Sequence, residues 1–245
     1  MCCNRCLPST PECHPSFSQA YPAVSKPYDP RDPFFLKAKQ ENYLARSIYK
    51  LEEIDQRFHL LSKGDMVLDL GAAPGSWSQY ACRRVAPKGL VLGVDLQALR
   101  CSEMNFVGLK ADVFTLDYMT ELPRLGLSFP LDVVLSDMAP GTTGIRTTDQ
   151  ARSFELCLKA LELAERTLKP GGHFVCKFFD GPDFAELRKA ILDQFQKVEI
   201  LRPKSTRQSS KEIFLVGLKF KGGKATRSPA AAPELPPTGG WVPPP

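Results

Sequence analysis

The chain has 245 residues, 43% of them apolar and 24% charged, with a formal net charge of +5. That is the composition of a globular protein long enough to bury a core, most simply one domain with tails. It holds no run of eighteen apolar residues, so a transmembrane helix is excluded, and the small positive balance permits a polyanionic partner without demanding one. The start of the chain lacks the apolar core of a secretory signal, and it is too rich in Pro and poor in Arg for an organelle-targeting helix.

Residues 1–30 carry Pro8, Pro11, Pro15, Pro22, Pro27 and Pro30 with little periodicity and read as a disordered leader. Cys2, Cys3, Cys6 and Cys13 crowd that leader beside His14. Cys3-x-x-Cys6 with Cys13 or His14 has the chemistry of a small zinc or redox site, but no second C-x-x-C supports it, and no metal is expected. Cys82, Cys101, Cys157 and Cys176 are scattered through the rest, as reduced thiols of a cytoplasmic protein would be. From about Asp32 the composition shifts. A long helical pattern begins near Phe34 and has apolar positions at Tyr43, Leu44, Ile48, Leu51, Ile54 and Phe58, with Arg46, Lys50 and Arg57 among them as a solvated face.

Met66–Leu70 reads as a buried parallel strand with one acid, Asp69, in it. Gly71-Ala-Ala-Pro-Gly75 follows, small enough for a ligand to approach the backbone, and Trp77, Tyr80 and Ala81 begin a helix. Strand, small-residue turn and helix make the nucleotide-binding corner of an open α/β sheet. The turn is not G-x-G-x-x-G, so an adenosyl cofactor such as S-adenosylmethionine suits it better than a dinucleotide. Gly89–Asp95 is the second strand, and Asp95 lies where such sheets place a carboxylate on ribose hydroxyls. After the third strand, Asp112 is placed to accept from an adenine amino group, with Asp117 the weaker candidate.

Leu131–Asp137 is the fourth strand and runs into Met138-Ala-Pro-Gly141, where an open sheet puts its reactive groups. Residues 149–168 form a helix striped by Phe154, Leu158, Leu161 and Leu168, ended by Lys169-Pro-Gly-Gly172. His173–Phe179 is an apolar strand interrupted by Lys177, which is costly there unless paired or functional. A helix through Phe184, Leu187, Ile191 and Phe195 and a strand over 197–201 come next. Then comes a basic loop over 202–211, and after it Glu212 introduces the last strand. Residues 221–245 read as a disordered Pro-rich tail. The alternation predicts a doubly wound α/β domain over 31–220 with a mostly parallel sheet.

Arg46-Ser-Ile-Tyr-Lys50, Asp69-Leu-Gly-Ala-Ala-Pro-Gly-Ser-Trp77, Ser136-Asp-Met-Ala-Pro140, Lys177 and Ser210-Lys-Glu212 occur in that order. Together they resemble the FtsJ/RlmE-type ribosomal RNA 2′-O-methyltransferases from about Asp32 to Phe220. The resemblance implies a seven-stranded Rossmann-like methyltransferase fold with S-adenosyl-L-methionine as cofactor. It further implies a catalytic tetrad of Lys50, Asp137, Lys177 and Glu212, and cofactor contacts at Gly75, Trp77, Asp95, Asp112 and Asp137. The implied substrate is large-subunit ribosomal RNA at the uridine of the A loop. With no separate RNA-binding domain in the sequence, site choice is expected to come from substrate shape in the assembled subunit; a monomer is the default, and absent targeting signals, reduced-looking cysteines and the bacterial-type resemblance together point to the cytoplasm. Gly141 departs from the Asn found after Ala-Pro in bacterial members. The chemistry has its own logic. A ribose 2′-hydroxyl must lose its proton during attack, and a lysine takes a proton only where burial or a nearby cation favours its neutral form. That makes Lys177 the base or the group that positions the hydroxyl, oriented by Asp137 and Glu212, with Lys50 tuning it or holding substrate. Lys37, Lys39, Arg46, Arg57, Lys204 and Arg207 suit RNA phosphates but carry no base information. The alternatives are an RNA-binding assembly factor without catalysis, a methyltransferase for another RNA, a small molecule or a protein, and, against the glycine spacing, a dinucleotide oxidoreductase.

Overall fold

The computed structural model describes residues 32–207 and 210–222. The expected leader with its cysteine cluster, and the expected tail from residue 223, lie outside the described residues. In chain order the elements are α1 Pro33–Gln40, α2 Ile48–Phe58, β1 Met66–Leu70, α3 Ser76–Val85, β2 Leu90–Asp95, β3 Phe106–Lys110 and α4 Tyr118–Arg124. They continue with β4 Leu131–Ser136, α5 Arg146–Thr167, β5 Leu168–Phe179, α6 Phe184–Gln194, β6 Phe195–Leu201 and β7 Glu212–Phe220. The strands form one seven-stranded sheet in the order β3-β2-β1-β4-β5-β7-β6. It is parallel from β3 to β5, and β7 runs antiparallel between β5 and β6.

Because strand side chains alternate between faces, each strand contributes to two apolar layers. Leu68, Leu70, Phe174, Cys176 and Phe178 pack with α5 and α6, while Val67, Val175, Phe214 and Val216 pack with α2 and α3. The strand order reverses between β1 and β4. There the carboxyl ends of neighbouring strands open a crevice, which is the ligand-binding edge of a doubly wound sheet.

The long helix expected from residue 34 is two helices. α1 starts on an Asp32 cap, whose carboxylate accepts from the Phe35 N–H, and ends at Gln40. Asn42 then takes a left-handed conformation at φ 57°. Tyr43 keeps helical spacing but sits in the connection, its ring edge-on to Tyr49. In α5 the buried face is Ser153, Cys157, Ala160, Leu161 and Ala164, and Leu158 is 37% exposed. Small side chains let the helix lie close on the sheet, so the stripe of large residues is a poor guide there. α5 ends at Thr167, just before Lys169-Pro-Gly-Gly172 as expected, and that segment already belongs to β5.

Candidate active site

Gly71 and Gly75 shape the turn between β1 and α3. Gly71 adopts φ 74°, and a Cβ there would lie 2.7 Å from Met138 Cγ and 2.8 Å from the Met138 backbone. No rotamer change relieves a backbone clash, so only glycine lets the turn lie against the end of β4. Gly75 is the N-cap of α3 at φ 119°, with Cys101 packed where its side chain would be. Asp95 at the end of β2 braces the same turn. One of its oxygens accepts from the Ala73 N–H at 2.9 Å and the other from the Gln97 N–H at 2.8 Å. Each carboxylate oxygen retains acceptor capacity beyond that single bond.

A cavity of about 630 Å³ opens over this turn. Gly71, Ala73, Asp95, Asp112, Asp137 and Lys177 border it, together with apolar Leu96, Val113 and Phe114. Asp112 is fixed by the Phe114 N–H at 2.9 Å. The cavity thus unites four of the residues expected from the sequence, from the ends of four strands. Gly75 and Trp77 do not border it. Trp77 is buried, its indole N–H donating to the Ser47 carbonyl at 2.9 Å and its ring 5.7 Å from Phe214. Met138, from the loop expected to carry reactive groups, also lines the cavity, as do Leu96, Gln97 and Phe114, to which no sequence signal pointed.

Lys177 is 8% exposed. Its ammonium lies 2.9 Å from Asp137 Oδ1 and donates to the Asp137 backbone carbonyl at 2.5 Å. The carboxylate contact is a charge contact rather than an aligned hydrogen bond, for Oδ1 has no hydrogen-bond partner among the described residues. Lys177 pairs with Phe214 across β5 and β7, so Glu212, two residues earlier on β7, is its diagonal neighbour on the same face. Glu212 is buried and holds Lys50 of α2 at 2.5 Å. The Lys50 ammonium stands 5.8 Å above the Phe214 ring. The four residues of the expected tetrad therefore form two ion pairs at one sheet edge, with Phe214 between them.

The second pair borders a smaller cavity of about 220 Å³, which Arg46, Ser47, Ser205, Arg207 and Ser210 complete. The loop before β7 is tied down on α2. Lys204 N–H donates to Glu53 at 2.8 Å, and the Arg46 guanidinium bonds the Ser205 carbonyl and pairs with Asp32. Of the three cations read as a solvated face, Arg46 and Lys50 turn inward toward this cavity.

Asp69 was expected only as a break in an apolar strand. It is fully buried behind the glycine turn, accepting from the Ser78 hydroxyl at 2.6 Å, with no partner for Oδ1 among the described residues. Burial pushes its carboxyl up to about 7, against the pull of the Ser78 hydroxyl and with help from Asp137 and Asp95 nearby. The unfolded group titrates near ~3.9. Between those values the folded state binds more protons, so this group's contribution to stability is largest in acid and declines as pH rises to about 7. Asp69→Asn removes that dependence. The gap in unfolding free energy between variant and parent is expected to change by roughly 3 kcal/mol between pH 5 and 8, at about 1.4 kcal/mol per unit. Parallel pH profiles from denaturant titrations of the two proteins would contradict this.

A model of the FtsJ-like methyltransferase family matches residues 43–220. The chain belongs to the FtsJ-like methyltransferase family. It is 56% identical over 194 residues to the protein named ribosomal RNA large subunit methyltransferase E in Bdellovibrio bacteriovorus, covering 79% of this chain and 99% of that one. The protein of the same name in Myxococcus xanthus is 46% identical over 205 residues, covering 83% and 96%. Among solved structures, one described as a Plasmodium falciparum ribosomal RNA methyltransferase superposes with TM-score 0.64 at 29% identity, covering 74% of this chain and all of that one. An FtsJ-like methyltransferase needs room for a methyl donor and for an acceptor. Among the described residues, two cavities open at one sheet edge, with a lysine–carboxylate pair on each. Among the described residues no group of three His, Cys, Asp or Glu side chains is arranged to hold a metal, and no helix is long and apolar enough to cross a membrane.

Proposed function

We propose that the protein transfers a methyl group from S-adenosylmethionine to a ribose 2′-hydroxyl of large-subunit ribosomal RNA, at the A-loop uridine of the assembled subunit. One observation carries the reading: a buried lysine, Lys177, paired with Asp137, stands on the wall of the cavity over the glycine turn. The larger cavity fits the cofactor. Asp95 has acceptor capacity for ribose hydroxyls, Asp112 can accept from an adenine amino group, and Leu96, Val113 and Phe114 offer apolar surface to a base. Gly75 and Trp77, which do not border this cavity, would serve the cofactor by shaping the turn and anchoring the start of α3 behind it. When bound, the cofactor supplies a methyl group already activated as a sulfonium.

The protein's part is to hold and deprotonate the acceptor. Lys177 positions the 2′-hydroxyl or, as a neutral amine, accepts its proton as the oxygen attacks, and Asp137 and Glu212 orient the Lys177 and Lys50 side chains. Lys50 tunes that field or holds the RNA, and the cations and hydroxyls around the smaller cavity suit ribose and phosphate. The relatives' names give the substrate class, and the protein would act as a monomer in the cytoplasm, where that subunit is found. Calorimetry tests the cofactor assignment. S-adenosylmethionine is expected to bind and NAD not to, and Asp95→Ala should weaken binding by roughly 10- to 100-fold, as loss of charge-assisted hydrogen bonds does. Binding of NAD in place of S-adenosylmethionine would overturn the assignment.

A further inference from the structure

The first turns of α5 bury three polar residues that an amphipathic helix has no use for: Asp149, Gln150 and Ser153. None of them borders either cavity. Asp149 accepts from the Thr143 N–H and hydroxyl, both at 2.8 Å, and so secures the loop that leaves Asp137. Ser153 accepts from the Phe179 N–H at 3.0 Å, and Gln150 Nε2 donates to the Asp180 carbonyl at 2.5 Å. The last paired residues of the β5–β7 ladder are Phe179 and Glu212. Just past them, the Asp180 N–H donates to the Lys211 carbonyl at 3.1 Å. A line of hydrogen bonds therefore runs from α5 through Asp180 to the residue before Glu212.

Residue 181 supports the same contact. A Cβ on Gly181 would stand 2.9 Å from both Cδ and Nε2 of Gln150, so only glycine leaves the amide its place. The displaced atoms are the far end of a flexible side chain. Crowding there moves the amide off Asp180 without forcing the backbone apart. A neutral amide also suits the position: it donates to the end of β5 without adding charge there, whereas an apolar side chain would leave the carbonyl of the exposed Asp180 to water.

We infer that Gln150 is a positioning residue for methyl transfer: by fixing the Asp180 carbonyl it sets the ends of β5 and β7 and, through them, Lys177 and Glu212. The inference rests on the roles proposed above for those two residues. Displacements of an ångström at a reacting group cost one to two orders of magnitude in rate, so the effect falls on kcat.

The test uses the full chain, wild type beside Gln150→Met, which keeps length and flexibility but cannot donate. Four quantities are measured: kcat on unmethylated large ribosomal subunits, cofactor affinity, melting temperature, and hydrogen exchange over 178–183 and 210–213. The expected result is a fall in kcat of about tenfold with cofactor affinity held within about twofold, little change in melting temperature, and faster exchange in both segments. Gly181→Ala should act in the same direction, and adding it to Gln150→Met should cost nothing further, since both remove one contact. The inference is overturned by an unchanged kcat, or by a fall in kcat matched by equal losses of cofactor affinity and melting temperature. A wild type without transfer to subunits would instead sink the proposed reaction. The exchange comparison then decides the positioning role, and unchanged protection in Gln150→Met overturns it.

Discussion

Replacing Lys177 by methionine is expected to abolish most methyl transfer, with kcat falling roughly 10²–10⁴-fold, the range for a positioned proton-transfer group. Methionine matches the lysine stem in the apolar layer formed with Val175 and Phe214, so packing is kept and only the ammonium is lost. Asp137 then lacks its cation, but its side chain borders the cavity and remains 18% exposed, so it can be hydrated. Cofactor affinity and fold should survive. Steady-state kinetics on large subunits, with calorimetry of S-adenosylmethionine on the same samples, separate the two effects. A variant within about threefold of wild type in kcat would remove Lys177 from the chemistry.

The largest expected loss of stability comes from Asp55, which borders neither of the two cavities described above. Its buried carboxylate accepts from the Leu60 and Leu61 N–H groups at 2.9 and 3.0 Å through one oxygen. Through the other it accepts from the Tyr80 hydroxyl at 2.9 Å and the Arg84 guanidinium at 3.0 Å. One side chain thus closes the turn after α2, where His59 is left-handed at φ 52°, and joins that turn to α3. Asp55→Ala leaves four donors without their acceptor, and the expected cost is about 3–5 kcal/mol, read from denaturant unfolding. For a domain of this size that lowers Tm by roughly 10 °C. Asp55→Asn keeps one acceptor oxygen and should fall between. A loss below about 1 kcal/mol for the alanine variant would show that the turn holds without the carboxylate.

Acids placed at the ends of apolar runs made the site legible. Asp95, Asp112 and Asp137 each end a short hydrophobic stretch, and in a parallel sheet all such ends share one edge, so the residues meet without any knowledge of loop paths. Lys177 stood out for the same reason, as a cation inside an apolar strand. Glu212 was harder, because its place depends on β7 being antiparallel, which brings the start of that strand to the edge where the others finish. The break at Asn42 was hidden by Tyr43 and Leu44, whose spacing continues a helix although the backbone does not. Gln150 and Ser153 were illegible because polar residues on a helix ordinarily face water. Only the depth of α5 against the sheet shows that these two serve neighbouring loops. Asp69 likewise looked like a strand break until its burial was seen.

The proposed reaction is defined by the atom that receives the methyl group. Wild-type protein would be incubated with labelled S-adenosylmethionine and large ribosomal subunits from cells lacking the modification, and the ribosomal RNA digested and mapped. Label is expected on one ribose 2′-oxygen, recovered as an alkali-resistant dinucleotide from the A loop. Label on a base, or no label on subunits despite tight cofactor binding, would contradict the proposed reaction.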